Sequence, residues 1–128
     1  MADGLFDTTV FLDYRRGDRE AISLMTAVFS GSFKASYSPI TIFEIWIGID
    51  SHEEETDFLG ILNQLEHAPL TASMARTAAI WLRGLDAPRS ESLFRDALIA
   101  ATAVERDEPT YTRNVRDFQR FYADVRSY

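Results

Sequence analysis

The sequence contains no cysteine and only one lysine among its 128 residues. The lack of cysteine excludes disulfide frameworks and thiolate metal sites. The glycine-rich loop and lysine of a Walker-type nucleotide site are also missing. No run of about 18 apolar residues occurs, and the N-terminal residues are acidic rather than basic, so neither a membrane span nor a secretion signal is predicted. We therefore expect a cytoplasmic protein that does not bind a membrane.

Basic residues are outnumbered, with 13 Lys and Arg against 20 Asp and Glu, for a net charge of −7. This balance argues against a simple basic nucleic-acid binder, because phosphate contacts need Lys or Arg. It still permits a nucleic-acid enzyme in which metal ions neutralise a carboxylate cluster and arginines, the better bidentate phosphate ligands, line the rim. Acidic surfaces also simply keep proteins soluble, so net charge alone does not decide the function.

The length and the 46% hydrophobic content predict one domain over residues 1–128 with its own core. Short apolar segments alternate with helical patterns. This alternation predicts an α/β fold with a central parallel sheet of four to five short strands, flanked by helices on both faces. We predict strands at 5–8, 33–37 and 108–112, with marginal strands at 68–70 and within 122–128. We predict helices at 10–14, 19–29, 39–49, 51–66, 71–85, 91–106 and after 113. In the helix at 19–29, Ile22, Met25 (or Leu24), Val28 and Phe29 are expected to face the core.

Three acidic residues occur in otherwise apolar segments. Asp7 follows an apolar strand, Glu44 lies in the middle of an apolar helix, and Asp96 lies on the small, alanine-rich face of the helix predicted over 91–106. A carboxylate removed from water needs a cation, a hydrogen-bond donor or a proton. Asp7 and Asp96 are both expected at the carboxyl edge of the sheet, where open α/β sheets bind ligands.

Structural explanations for two of these acids remain open. Asp7 also has the position of a helix N-cap, and Glu44 could form a buried ion pair with an arginine. The helix that contains Glu44 is apolar nearly all round and includes Trp46, which predicts a second neighbour such as another protomer or a partner protein. His52 and His67 are isolated, and we predict no catalytic role for either.

Residues 6–14, 38–49 and 96–103, the last continuing to 112–118, together resemble the PIN domain, most closely the toxin ribonucleases of VapC-type toxin–antitoxin pairs. The resemblance extends over nearly the whole chain. It implies a metal-dependent endoribonuclease that hydrolyses RNA phosphodiester bonds with a metal-activated water. It also implies a homodimer and a cognate antitoxin protein that lies in a hydrophobic groove and blocks the site.

The resemblance implies that Asp7, Glu44 and Asp96 bind one or two Mg²⁺ or Mn²⁺ ions, for which oxygen ligands are suited. The fourth acidic position corresponds either to Asn114, whose amide brings no charge, or to Asp117. These two residues also have the spacing of an N-cap and its partner in the first helical turn, so helix capping is an equal alternative for Asp117.

Further candidates surround the acidic positions. Thr8 and Thr9 offer hydroxyl groups at the end of the first strand, and we predict that Arg95, Arg113 and Arg116 contact substrate phosphates, although each is equally compatible with an ordinary surface charge. The alternative function is a catalytically weak or inactive PIN-fold protein that acts by binding antitoxin or RNA. A phosphoryl-receiver domain is disfavoured, because it needs a lysine after a late strand.

Overall fold

Seven helices and five strands alternate through residues 2–128, the part of the chain that the computed structural model describes. The predicted domain starts at Met1, which lies outside the described residues. The strands are β1 (Gly4–Phe6), β2 (Ala35–Tyr37), β3 (Glu66–His67), β4 (Thr110–Tyr111) and β5 (Val125–Arg126). The helices are α1 (Thr8–Arg15), α2 (Arg19–Phe29), α3 (Pro39–Gly48), α4 (His52–Leu62), α5 (Ala72–Gly84), α6 (Glu91–Glu105) and α7 (Val115–Phe118).

The strands form one parallel sheet in the order β3-β2-β1-β4-β5, which confirms the predicted fold class. The first strand of the chain is therefore the central one. Because all strands are parallel, their carboxyl ends meet at one edge of the sheet. The starts of α1 and α3 and the segment that leads into α7 follow directly from β1, β2 and β4, so this edge collects the side chains on which function is expected to depend.

Successive residues of β1 support two separate apolar clusters, because side chains alternate across a strand. Leu5 packs with α5 and α6, and Phe6 packs with α1 to α4. The alanines of α6 are fully buried, and their small side chains let that helix lie close to the sheet. Ser38 caps α3 by accepting a hydrogen bond from the Ile40 amide at 3.0 Å, with proline at the first helical position.

Two details of the predicted fold are wrong. The edge strand is β3 rather than residues 68–70, and α4 ends at Leu62 rather than near residue 66. Pro69 has no N–H group to donate to a strand, so the ladder ends one residue earlier, where the Ala68 N–H donates to the Tyr37 carbonyl at 2.8 Å. Among residues 2–128, no helix is both long enough and apolar enough to cross a membrane.

The predicted orientation of α2 is also partly wrong. Met25 and Val28 are buried as predicted, together with Ala21, whereas Ile22 and Phe29 are 38% and 42% exposed. The buried residues have the spacing of one helical stripe, and a surface helix can bury only one such stripe against the sheet. The two exposed side chains therefore lie on the flank of this stripe.

A buried carboxylate lies toward the amino edge of the sheet, opposite to the edge described above. The side chain of Glu108 is 1% exposed and its Oε1 accepts hydrogen bonds from Ser36 Oγ at 2.6 Å and Arg106 Nε at 3.1 Å. Arg106 also lies 3.3 Å from Glu66. This network connects β2, β3 and the segment before β4. The sequence pattern indicates Glu108 only as the first residue of a strand, so it does not predict this hydrogen-bond network.

We predict that Arg106→Ala lowers the free energy of unfolding by about 3 kcal/mol, because it leaves the Glu108 carboxylate buried without its cation. Urea denaturation measures this change. The matched control is Arg15→Ala, which breaks an exposed ion pair of 2.9 Å with Asp57 and is expected to cost less than about 1 kcal/mol. Equal losses in the two variants would contradict a structural role for the buried pair.

Candidate active site

Asp7 lies at the carboxyl end of β1, in the centre of the sheet edge. The residue is 3% exposed, and its backbone N–H donates to the Tyr111 carbonyl at 3.0 Å. It occupies the N-cap position of α1, as the structural alternative predicted, but its side chain forms no capping hydrogen bond. The carboxylate is therefore available for other contacts.

Two threonine hydroxyls hold one oxygen of the Asp7 carboxylate. Thr112 Oγ1 donates to Asp7 Oδ2 at 2.8 Å, and Thr9 Oγ1 donates to the same oxygen at 3.1 Å. No side chain among residues 2–128 donates to Oδ1. Burial raises the pKa of Asp7, and repulsion from Glu44 adds to this, whereas the hydroxyl donors oppose it. Asp7 is thus fixed in orientation but lacks a full counter-charge.

Glu44 projects from α3 toward the same edge, with its side chain 26% exposed. Thr8 Oγ1 donates to Glu44 Oε1 at 2.8 Å and is itself 3.0 Å from Thr41 Oγ1, which must donate to it. The other oxygen, Oε2, lies 3.3 Å from Arg95 Nε. The ion pair considered from the sequence is therefore present, and it lies beside the other candidate acids rather than in a separate core.

Asp96, in the second turn of α6, is the carboxylate with the least compensation. It is 9% exposed, and no hydrogen bond to its side chain is found in the described part of the chain. Burial raises its pKa to about 7, with further contributions from the charges of Asp7, Asp117 and Glu44, while Arg95 opposes the rise. Asp7, Asp117 and Glu44 therefore each lie within Coulombic range of Asp96. We call Asp7, Glu44, Asp96 and Asp117 the acidic cluster.

The two candidates for the fourth acidic position differ in their surroundings. The side chain of Asp117 is 43% exposed and lies 3.8 Å from Arg120. Asn114 is exposed and its side chain forms no capping bond at the start of α7, while its backbone N–H donates to Thr112 Oγ1 at 2.9 Å. The predicted reciprocal cap between them is not formed. The raised pKa of Asp96 includes a contribution from Asp117, which places this acid at the cluster.

The three candidate arginines have different environments. Arg95 lies against Glu44 as described. Arg113 Nη2 donates to Asp18 at 2.8 Å, and its guanidinium lies 4.3 Å from the centre of the Tyr128 ring. Arg116 is exposed and forms no ion pair among residues 2–128. Of these three arginines, Arg116 is thus the one whose charge is most available to a ligand.

Several residues that support the site were not singled out from the sequence. Thr112 and Thr41 supply the hydroxyl groups described above, and Tyr128 donates to Asp13 at 2.7 Å while stacking on Arg113. Thr112 follows a predicted strand at the same edge as Asp7, so its position could have indicated its contact. The contact of Tyr128 with Asp13 joins residues 115 positions apart, and no local pattern indicates it.

The acidic cluster offers only oxygen donors, the ligands that Mg²⁺ and Mn²⁺ prefer. No group of three or more Asp, Glu or His side chains within residues 2–128 is already arranged to hold a metal ion. Two of the acids instead contact other side chains: Glu44 contacts Thr8 and Arg95, and Asp117 lies 3.8 Å from Arg120. The buried carboxylate of Asp96 nevertheless fits a cation site in its chemistry, since no described residue forms a hydrogen bond or an ion pair with it.

We predict that Asp96→Asn stabilises the metal-free protein at pH 8 and not at pH 4. Because the folded pKa of about 7 lies above the unfolded value, the folded state holds the proton more tightly. Wild-type stability is then lost as the pH rises from about 4 to about 7, by up to about 4 kcal/mol. Urea denaturation in EDTA across this range measures the change. An unaltered pH dependence in Asp96→Asn would contradict the assignment.

The family model described as PIN domain matches residues 5–124. Ribonuclease VapC19 of Mycobacterium tuberculosis is 30% identical over 123 residues, with 91% of this chain and 93% of the relative covered. Ribonuclease VapC of Rickettsia bellii is 27% identical, with 91% and 88% covered.

Solved structures with the same fold include the DNA-bound VapBC from Salmonella typhimurium, with a TM-score of 0.80, 19% identity, and coverage of 99% of this chain and 98% of that chain. A toxin–antitoxin complex from Klebsiella pneumoniae has a TM-score of 0.76 and 24% identity, with 96% and 95% covered. At these identities the structural likeness shows the fold alone. Together with the family model, which spans most of the chain, it agrees with the resemblance found in the sequence. The chain belongs to the PIN domain family.

Proposed function

We propose that this protein is a metal-dependent endoribonuclease of the VapC type, which acts as the toxin of a toxin–antitoxin pair. The observation that carries the proposal is the buried Asp96 carboxylate, which has no hydrogen-bond or ion-pair partner among residues 2–128 and is repelled by three other acids. A protein that only binds a partner has no need to maintain such an unfavourable arrangement. The support for RNA as the substrate is the names of the relatives, which are ribonucleases.

Asp7, Glu44, Asp96 and Asp117 would hold one or two Mg²⁺ or Mn²⁺ ions, directly or through water, with Asn114 as a neutral donor near the rim. When bound, such an ion activates water and stabilises negative charge on the phosphate undergoing displacement. The reaction adds water across one phosphodiester bond, so a P–O bond to the attacking oxygen forms as the P–O bond to the leaving oxygen breaks.

The chain itself supplies orientation and charge. Thr9 and Thr112 fix Asp7 through Oδ2, which leaves Oδ1 without a side-chain donor, and Thr8 fixes Glu44 through Oε1. We propose that Arg116, which is exposed and unpaired, binds a phosphate of the RNA backbone. Arg113 is held by Asp18 and Tyr128, so we propose that it positions the segment between β4 and α7.

We expect the purified protein, free of partners, to cleave structured RNA with Mg²⁺ or Mn²⁺ and not with EDTA. Asp7→Asn and Asp96→Asn should each lower the cleavage rate by more than the roughly 10–100-fold typical of changes around a metal ligand. Gel electrophoresis of end-labelled RNA measures this. The matched control is Asp57→Asn, an identical change at an exposed residue of α4 that pairs with Arg15.

The outcomes separate the two functions considered. Metal-dependent cleavage that is lost in both site variants and kept in the control supports the nuclease. A folded protein that cleaves no RNA with either metal would favour the alternative, a PIN-fold protein that acts by binding antitoxin or RNA. Cleavage that persists in EDTA would contradict the metal site.

A cognate antitoxin is the protein partner that this proposal requires. An open groove of about 520 Å³ lies between α1, α2 and α4 and is lined by Tyr14, Phe29 and Ile61 among others. Phe29, which lines the groove, is 42% exposed. The groove would accept an apolar segment of another chain. The relatives of known structure include toxin–antitoxin complexes, which supports this partner.

The exposed face of α3 supports a homodimer. Phe43 and Ile47 are one turn apart on this helix and are 56% and 70% exposed. Large apolar side chains exposed together mark interaction surfaces. Their position on the helix that carries Glu44 would bring two copies together beside the acidic cluster.

We predict that Ile47→Asp converts a dimer into a monomer, because it places a charge in the apolar interface. Sedimentation velocity at micromolar concentration measures the change. Leu59→Asp, at a comparably exposed apolar residue of α4, is the control and should leave the dimer intact. A wild-type protein that is monomeric at all concentrations would contradict this interface.

A further inference from the structure

Arg95 lies within the acidic cluster and not at its rim. Its Nε is 3.3 Å from Glu44 Oε2, and its Nη1 is 3.7 Å from Glu91 Oε2. Its charge also lowers the pKa of Asp96 against the larger influences that raise it. With 29% of the side chain exposed, the guanidinium is largely removed from water. Arg95 is therefore a counter-charge for at least two of the clustered acids.

The contact of Arg95 with Glu44 is electrostatic and weakly directional. The buried Nε forms no hydrogen bond of good geometry among residues 2–128, although Glu44 Oε2 is 3.3 Å away. Glu44 Oε1, in contrast, accepts a directional bond from Thr8 at 2.8 Å. An ion pair without aligned hydrogen bonds is weaker than a bidentate one and exchanges its cation more readily.

We propose that Arg95 is an internal counter-ion that competes with the divalent metal for Glu44, so that metal binding displaces the guanidinium from the carboxylate. The inference rests on the metal site of the proposed function. A guanidinium and a divalent cation a few ångströms apart repel each other strongly, so both cannot neutralise the same carboxylate oxygen without cost. The pair with Glu91 gives Arg95 a second anion to which it can move.

The opposite role for Arg95 would be to orient Glu44 for the metal. The two roles predict changes of opposite sign. If Arg95 competes, its removal strengthens metal binding. If Arg95 orients Glu44, its removal weakens metal binding, because Glu44 loses one of its two fixed contacts. The sign of the change therefore distinguishes them without any measurement of nuclease activity.

The experiment is a titration of the EDTA-treated, dialysed protein with Mn²⁺, followed by isothermal calorimetry and by the melting temperature. We expect Arg95→Gln to bind Mn²⁺ at least about fivefold more tightly than wild type, because a nearby positive charge is removed. We expect its melting temperature in EDTA to be lower than that of wild type, because the acids lose their internal counter-charge. If Arg95 only supported the fold, its substitution would lower the melting temperature equally with and without Mn²⁺.

Two further variants control the result. Arg95→Lys keeps the charge and should bind Mn²⁺ with nearly the wild-type affinity. Arg15→Gln removes an arginine of an exposed ion pair at the far end of α1, so it makes the same change in net charge and should leave the affinity unchanged. An increase in Arg15→Gln equal to that in Arg95→Gln would show an effect of net charge alone and would overturn the inference.

The remaining outcomes separate this inference from the proposed function. If wild type binds Mn²⁺ and Arg95→Gln binds it equally or more weakly, the competition is wrong while the metal site stands. If wild type and Arg95→Gln both fail to bind Mn²⁺, the metal site itself is wrong and the inference with it. Tighter binding in Arg95→Gln alone supports both.

Discussion

Repulsion between carboxylates held close together and partly out of water is the constraint on which the rest of the structure depends. Asp96 shows it most clearly, since burial and three neighbouring acids raise its pKa to about 7. A free chain would separate these charges. The sheet order and the packing of α6 keep these charges together. The strand that precedes Asp7, β1, is central in the sheet, and the small, buried alanines of α6 hold this helix close to the sheet. Part of the core's stabilisation thus offsets the cost of the acidic cluster.

Neutral hydroxyl donors orient two of the four clustered acids, Asp7 and Glu44. Thr8, Thr9 and Thr112 each donate a hydroxyl proton to a clustered carboxylate. A hydroxyl fixes the direction of a carboxylate and contributes a modest stabilisation, yet it leaves the negative charge almost unchanged. An arginine in the same place would cancel the charge that a divalent ion needs. Orientation by threonine is therefore compatible with metal binding, whereas neutralisation by arginine competes with it.

The sequence predicted the fold class well, and the physical reasons are local. Strand and helix patterns alternate clearly, and the Ser38–Pro39 start of α3 and the alanine face of α6 are strong signals. The sequence failed at short edge elements such as β3, where two residues give too little pattern. It also misplaced Phe29, because a helix with apolar residues on two sides does not reveal which side faces the sheet.

The candidate site was predictable in its acids and less so in their partners. Asp7, Glu44 and Asp96 are each surrounded by apolar residues in the sequence, so they can be identified without the structure. The pairing of Glu44 with Arg95 joins residues 51 positions apart, and the hydrogen bond of Tyr128 with Asp13 joins residues 115 positions apart. Such partners depend on the register between elements, which no local pattern specifies. The contact of Glu108 with Ser36, which is 72 positions away, could not be predicted for the same reason.

Comparison of the Arg106–Glu108 pair with the Arg95–Glu44 pair indicates which carboxylate can exchange its cation. The Glu108 side chain is 1% exposed and accepts aligned hydrogen bonds from Ser36 and Arg106, so removing Arg106 leaves a buried negative charge with the Ser36 hydroxyl as its remaining donor among the described residues. In the other pair both side chains are more than a quarter exposed, and the buried arginine nitrogen lacks an aligned bond. An ion from solvent has access only to the second pair, which is also the one beside the other acids. The Arg106–Glu108 pair therefore stabilises the fold at one edge of the sheet. At the other edge, the Arg95–Glu44 pair leaves the Glu44 carboxylate able to exchange its arginine for another cation.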